Sequence, residues 1–175
     1  MRSFVGVVPL SALALVVAVM VAVLWSSAVG RRLRTSRLVA ALLLFGFGFV
    51  AAATLVPDAA AMTGVSSNGI CDFSRVGFAP IEELLHVNFT SLNVLLFVPL
   101  GVAVALLPRT RAAAIVTIAA IATPFLVEAV QLVVTALGRG CQTADVFDNL
   151  LGLAIGLVIG TLARPLLAWV SGPRG

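Results

Sequence analysis

Between residues 112 and 137 the chain reads AAAIVTIAAIATPFLVEAVQLVVTAL, an apolar stretch interrupted by Glu128 and Gln131. A helix needs about 20 apolar residues to cross the hydrocarbon core of a bilayer, and this stretch is long enough. Backbone groups inside lipid must be paired within their own segment, so the stretch is predicted to be a membrane-spanning helix. An ionisable side chain inside such a helix is costly and usually functional, so Glu128 is the first residue to explain.

Four other stretches of the chain have a similar length and composition. The whole sequence is 61% hydrophobic with a mean hydropathy of +1.18, which is more apolar than a soluble domain of this size can be. The predicted spans cover residues 4–29, 38–56, 89–107, 112–137 and 148–170. The first is too long for the apolar part of a cleaved signal peptide, so we expect a retained helix. The sequence therefore predicts an all-α, polytopic membrane helical bundle with about five transmembrane helices, forming a single domain over residues 1–175.

The arginines predict the direction of the bundle in a bacterial plasma membrane. Loops on one side hold Arg31, Arg32, Arg34, Arg37, Arg109 and Arg111, with Arg164 and Arg174 near the C-terminus. The other side holds only Arg2, Arg75 and Arg139. By the positive-inside rule, the C-terminus is predicted to be cytoplasmic and the N-terminus extracytoplasmic, with loops 57–87 and 138–147 outside. The net charge of +4 then reflects topology, and no nucleic-acid partner is expected.

Polar residues recur at one depth of the predicted bundle, near its outer side. Those we expect to line a ligand site, called the polar set below, are Asn93, Glu128, Gln131, Arg139, Asp145 and Asn149. Glu128 and Gln131 are one helical turn apart on one face, and by predicted span length Glu128 lies roughly 13 Å from the outer end. The polar set comes from three predicted helices and the loop between the last two, so its members converge if the bundle is compact.

Each charged member of the polar set also has a purely structural interpretation. Glu128 could be a neutral, hydrogen-bonded core carboxyl, or a charge held for Arg139 or a ligand head group. Arg139 could anchor the chain at the interface, or clamp a phosphate or carboxylate. Asp145 precedes the predicted fifth helix and is expected to cap it, with Asp148 in the first turn as in a capping box.

Three glycines of the fifth stretch follow each other at four-residue spacing. Gly152, Gly156 and Gly160 form a doubled small-xxx-small motif, which is typical of a close helix–helix contact in membranes. We interpret it as a packing seam.

The two cysteines, Cys71 and Cys141, fall in the two predicted outer loops. An oxidising compartment and an even cysteine count favour a disulfide between them, with two free thiols as the alternative.

His86 follows Glu82 and Glu83, so a helical segment would place all three side chains on one face. The Glu-x-x-His pattern occurs once, whereas a di-metal bundle uses it twice. A solvated interfacial histidine is the simpler interpretation. No metal and no cofactor is predicted, although one metal held by His86, a glutamate and Asp145 is an alternative.

Two stretches resemble the signatures of VanZ-like proteins, a family of small multi-span membrane proteins named for one associated with teicoplanin resistance. Residues 93–101, NVLLFVPLG, are similar to the family's Asn-x-x-Leu-Phe-x-Pro-Leu-Gly signature. Its second signature is similar to an ordered series here: Glu128, Gln131, Gly138, Arg139, Asp145, Asn149 and Gly152. The interval 140–144 lacks the extra acidic residue that many members carry, and segment 75–80 matches another family segment only in part. The resemblance implies action at the outer surface on glycopeptide susceptibility or envelope lipids.

The residues and the resemblance together favour a non-catalytic protein. It would bind a lipid-linked cell-wall precursor or a lipoglycopeptide among the membrane lipids, in an outward-facing groove lined by the polar set. The alternative is an intramembrane enzyme acting on a lipid or polyprenyl-linked substrate, with Glu128 or Asp145 as the base. A third possibility is an accessory subunit that only scaffolds partners. The sequence does not indicate an oligomeric state.

Overall fold

The structure is a computed structural model that describes residues 4–57, 61, 63–64 and 66–170, with side chains for 10–57, 61, 63–64 and 66–166. In chain order its elements are α1 (Phe4–Leu33), α2 (Arg37–Thr54), β1 (Cys71–Asp72), α3 (Ile81–Leu84), α4 (Phe89–Ala105), α5 (Arg111–Val133), a 3-10 helix (Thr135–Leu137), β2 (Cys141–Gln142) and α6 (Thr143–Val170). Helices α1, α2, α5 and α6 are long and apolar enough to cross a membrane, and α4 is a shorter apolar helix of 17 residues. The predicted all-α membrane bundle is confirmed.

Two helix ends differ from the sequence-based prediction. Helix α6 begins at Thr143 rather than at residue 148, so Asp145 lies inside its first turn and does not precede it. The predicted capping role of Asp145 is therefore wrong, although an acidic side chain is still favourable at this positive end of the helix. Helix α5 ends at Val133 rather than at residue 137, because the chain tightens into the 3-10 helix and then turns at Gly138, which has a φ of 69°.

Helix α4 forms the centre of the bundle, and it packs most extensively against α6 and then against α2. Its Phe97 and Leu100 are fully buried, and Val50 of α2 and Leu153 of α6 lie in the same core cluster. An apolar helix surrounded by others buries side chains around much of its circumference, which explains why α4 lacks an amphipathic pattern.

The glycines of α6 form the seam with α4 that their spacing predicts. A Cβ atom on Gly156 would lie 2.8 Å from the Cα of Gly101 and would overlap the carbonyl oxygen of Val98. A Cβ on Gly152 would overlap the carbonyl oxygen of Val94, one turn earlier on α4. The two backbones therefore approach as closely as glycine permits, and this contact holds the start of α6 against α4.

Helix α4 is short for a membrane span, and its far end is secured by an arginine of α6. At 1.5 Å per residue, 17 residues give a length of about 26 Å, against roughly 30 Å of hydrocarbon. The Nε of Arg164 donates a hydrogen bond of 2.6 Å to the carbonyl oxygen of Ala105, and its Nη2 donates to that of Leu107. Arg164 thus satisfies carbonyls that the helix end leaves unpaired.

A small structure of residues 66–80 and 138–142 covers the opposite end of the bundle. It is called the outer cap below, after the side on which the arginine distribution predicts it to lie. Strands β1 and β2 pair in parallel with Cys71 opposite Cys141, and these two cysteines form a disulfide with their Cα atoms 4.5 Å apart. The Thr143 hydroxyl donates to the carbonyl oxygens of Asp72, at 3.2 Å, and Arg75, at 2.9 Å. The long loop after α2 is therefore fixed to the start of α6.

The arginine distribution makes a prediction about orientation that cysteine labelling can test. Glu82 and Arg109 are both exposed and lie at opposite ends of α4 in the chain. Because the native cysteines are paired, a single added cysteine supplies the reactive thiol. We expect Glu82→Cys to react with a membrane-impermeant maleimide in intact cells, and Arg109→Cys to react only after permeabilisation. The reverse pattern would contradict the predicted topology.

Candidate functional site

A cavity of about 520 Å³ lies between α2, α4, α5 and α6, next to the outer cap. All six members of the polar set line it, so the structure brings together residues that are up to 56 positions apart (149 − 93). The rest of the lining is mainly apolar and comprises Phe49, Ala53, Phe89, Leu92, Leu95 and Leu96, with Thr54. The site is therefore a pocket with one polar region and one apolar region.

Glu128 connects α5 to the outer cap. Its side chain is buried, and its Oε2 accepts a hydrogen bond of 2.7 Å from the backbone N–H of Gln142 in β2. Because α5 ends at Val133, Glu128 is five residues from the helix end (133 − 128), about 8 Å along the axis. The distance from Glu128 to the end of its helix is therefore shorter than the roughly 13 Å that the predicted span gives.

Two donors of the polar set hold the end of α2. The Nε2 of Gln131 donates a hydrogen bond of 3.1 Å to the carbonyl oxygen of Thr54, and the Nε of Arg139 donates one of 3.1 Å to that of Val56. The last carbonyls of a helix have no partner within the helix, so Gln131 satisfies a group that α2 leaves open, and Arg139 binds the chain just beyond the end of α2. Some of the hydrogen-bond donors of the polar set are thus already bound to carbonyl groups of the protein.

The α4 and α6 side of the cavity is formed by Asn93, Asp145 and Asn149. The side chain of Asn93 interacts with the carboxylate of Asp145, which also lies within electrostatic range of Arg75 and Arg139. Asn149 is 2% exposed, and its Oδ1 accepts no hydrogen bond from any residue that the structure describes. A buried acceptor without a donor costs free energy, and in a cavity wall it is a natural position for a ligand donor.

An ion pair directly behind this wall was not found by sequence reasoning. The guanidinium of Arg75 in the outer cap binds Asp148 of α6 through two hydrogen bonds, of 3.0 and 2.5 Å, and also donates to the carbonyl oxygen of Gly77 at 3.2 Å. The hydrogen bond with Asp148 raises the pKa of Arg75 above its usual value, so the guanidinium stays charged. Asp148 is fully buried, so its carboxylate depends on Arg75 for a partner.

The segment around His86 lies apart from the cavity. His86 is exposed, and its carbonyl oxygen accepts a hydrogen bond of 2.7 Å from the hydroxyl of Ser91 near the start of α4. Across residues 4–57, 61, 63–64 and 66–170, no three side chains among His, Cys, Asp and Glu are grouped so that they could hold a metal ion.

Comparison with known proteins gives one family assignment. The family model described as VanZ/LLP1 matches residues 10–164, which includes every member of the polar set, the disulfide and Arg75. No curated protein and no solved structure matches the chain. The match covers most of the sequence and agrees with the resemblance of the two signatures, so this chain belongs to the VanZ/LLP1 family.

Proposed function

We propose that this protein lowers susceptibility to glycopeptide and lipoglycopeptide antibiotics of the teicoplanin type, by binding an amphipathic ligand or an envelope lipid in the cavity. Family membership supports the link to glycopeptide susceptibility, because the VanZ-like family is named for a teicoplanin-resistance protein. The amphipathic character of the ligand is supported by the cavity itself. Binding in the outer half of the bundle would change how such an antibiotic reaches its target, without changing the target.

The observation that carries this proposal is the division of one cavity into a polar and an apolar region. Leu92 and Leu95 of α4 line the cavity and are also 50% and 62% exposed, in an apolar helix that is predicted to cross the membrane. Phe89, at the start of the same helix, is 88% exposed. Their exposed surface faces lipid, so an acyl or prenyl chain could enter the cavity sideways while its head group meets the polar set.

Susceptibility measurements on cells that express variants test this proposal. Glu128→Gln keeps the size of the side chain and an oxygen that can accept from Gln142, but it removes the negative charge. Asn149→Leu removes the buried amide at similar volume. We expect both variants to lower the minimal inhibitory concentration of teicoplanin to the level of cells without the protein.

The matched control is Arg109→Ala, an exposed residue outside the cavity, which should retain the wild-type inhibitory concentration. The amount of each variant in the membrane is measured by immunoblot, so that loss of protein is not mistaken for loss of function. Wild-type resistance in both cavity variants, at equal protein amounts, would contradict a function of this cavity in susceptibility.

A further inference from the structure

We infer that the ligand head group is a hydrogen-bond-donating cation, namely a primary ammonium carried on an apolar chain. This inference rests on the proposed function and specifies the chemical class of its ligand. It follows from which donors and acceptors of the cavity wall are already used, and from the balance of charge around them.

Several hydrogen-bond donors in and around the cavity wall are bound to groups of the protein. Gln131 uses its amide nitrogen on the carbonyl oxygen of Thr54, which leaves its Oε1 as the group able to face a ligand. The Nε of Arg139 is bound to the carbonyl oxygen of Val56. Arg75, which does not line the cavity, directs both terminal nitrogens to Asp148.

Some hydrogen-bond acceptors of the cavity wall, in contrast, have no donor in the part of the protein that the structure describes. The Oδ1 of Asn149 is buried and has no donor among the described residues, and Asn149 is one of the residues that line the cavity. The carboxylates of Glu128 and Asp145 line the same wall, and an ionised carboxylate has about four acceptor sites. One of those sites on Glu128 is taken by Gln142, and the side chain of Asn93 interacts with the carboxylate of Asp145. The ligand best matched to this wall therefore brings N–H or O–H groups.

The charges of the wall select a cation among such ligands. Glu128 and Asp145 carry two negative charges when ionised, and Arg139 contributes one positive charge, so the wall has a formal excess of one negative charge. The charge of Arg75 is matched by Asp148 and does not alter this balance. A phosphate or pyrophosphate head would add further negative charge to this excess. A primary ammonium supplies both three donors and a positive charge.

A set of single-chain amphiphiles with one alkyl chain and different heads tests the inference. The purified protein is placed in nanodiscs of phosphatidylcholine, whose head group has no N–H donor. Dodecylammonium, dodecyltrimethylammonium, dodecanol and dodecyl phosphate are added over a range of mole fractions. The rise in the unfolding midpoint temperature reports binding to the folded state.

We expect dodecylammonium to give the same rise at a mole fraction about tenfold lower than dodecyltrimethylammonium, which has the charge but no donor. Dodecyl phosphate should bind most weakly. In Asn149→Leu the advantage of dodecylammonium over its trimethyl analogue should shrink several-fold, whereas Asn68→Leu, an exposed change in the outer cap, should keep it. The midpoint temperature of each variant without probe shows whether it has folded.

Two sources could supply this head group, namely an aminophospholipid of the membrane and an amphiphilic drug that carries an amine. Repeating the titration in phosphatidylethanolamine nanodiscs distinguishes them. Loss of the dodecylammonium effect assigns the site to the lipid, because the lipid already occupies it, and persistence assigns it to the second source. Equal binding of all four probes, or tighter binding of dodecyl phosphate, would overturn the ammonium assignment while leaving an amphiphile site in place. Binding of none of the probes in phosphatidylcholine would overturn both proposals.

Discussion

Replacement of Arg75 by alanine is expected to destabilise the folded protein by about 3–5 kcal/mol, because it leaves the buried carboxylate of Asp148 without its partner. Asp148 has no exposed surface, and both of its oxygens accept hydrogen bonds from the guanidinium of Arg75. A carboxylate left alone in this position would lose both hydrogen bonds and could not be rehydrated without disrupting the packing of α6. The measurement is the free energy of unfolding of the purified protein, from denaturant titration in mild detergent.

A double-mutant cycle identifies the pair as the cause. Asp148→Asn removes the buried charge, so in combination with Arg75→Ala it should recover part of the stability that Arg75→Ala loses alone. Arg109→Ala, the removal of an exposed arginine, should change the free energy of unfolding by less than about 0.5 kcal/mol. Additive losses from the two single changes would show that Arg75 and Asp148 do not depend on each other.

The substitution Gly156→Ala is expected to cost about 3 kcal/mol and to reduce the yield of folded protein, although it adds only one methyl group. The new Cβ would lie 2.8 Å from both the Cα of Gly101 and the backbone nitrogen of Val102. Backbone atoms inside a helix cannot turn aside as a side chain can, so α4 and α6 would have to separate. Separation would also displace Asn93 and Asn149, which lie on these helices in the cavity wall.

Gly140→Ala is the matched control for this prediction, since a Cβ on Gly140 meets nothing within 4 Å. The unfolding midpoint temperature and the monodisperse fraction after detergent extraction report the outcome. A wild-type midpoint in Gly156→Ala would show that the close approach of α4 and α6 is not required for folding.

The helices of this bundle can be predicted from the sequence, because a backbone inside a membrane has few ways to pair its polar groups. Apolar stretches of sufficient length must become helices, and this requirement fixed five of them without knowledge of their contacts. The convergence of the polar set is predictable for a related reason. Side chains such as Glu128 and Asn149 are too costly to face lipid, so they must face the interior of the bundle, and in a small bundle that interior is shared.

The outer cap could not be predicted in the same way. Strands β1 and β2 have two residues each, which is too short for any alternation of polar and apolar residues to be visible. Arg75 and Asp148 are 73 residues apart and lie in segments without a common pattern. The available signal was that Arg75 and Arg139 stand on the arginine-poor side of the predicted topology. An arginine that opposes the positive-inside tendency has another role, and here both arginines bind groups of the protein.

The short central helix has a consequence for the surrounding lipids. Helix α4 is about 4 Å shorter than an average hydrocarbon core, and the charged guanidinium of Arg164 lies at its end. Neighbouring acyl chains must therefore compress on that side. We therefore expect the bilayer to be locally thinner in the leaflet nearest Arg164. The thickness of the bilayer therefore matters for this fold: short-chain lipids reduce the length mismatch with α4, whereas long, ordered chains increase it.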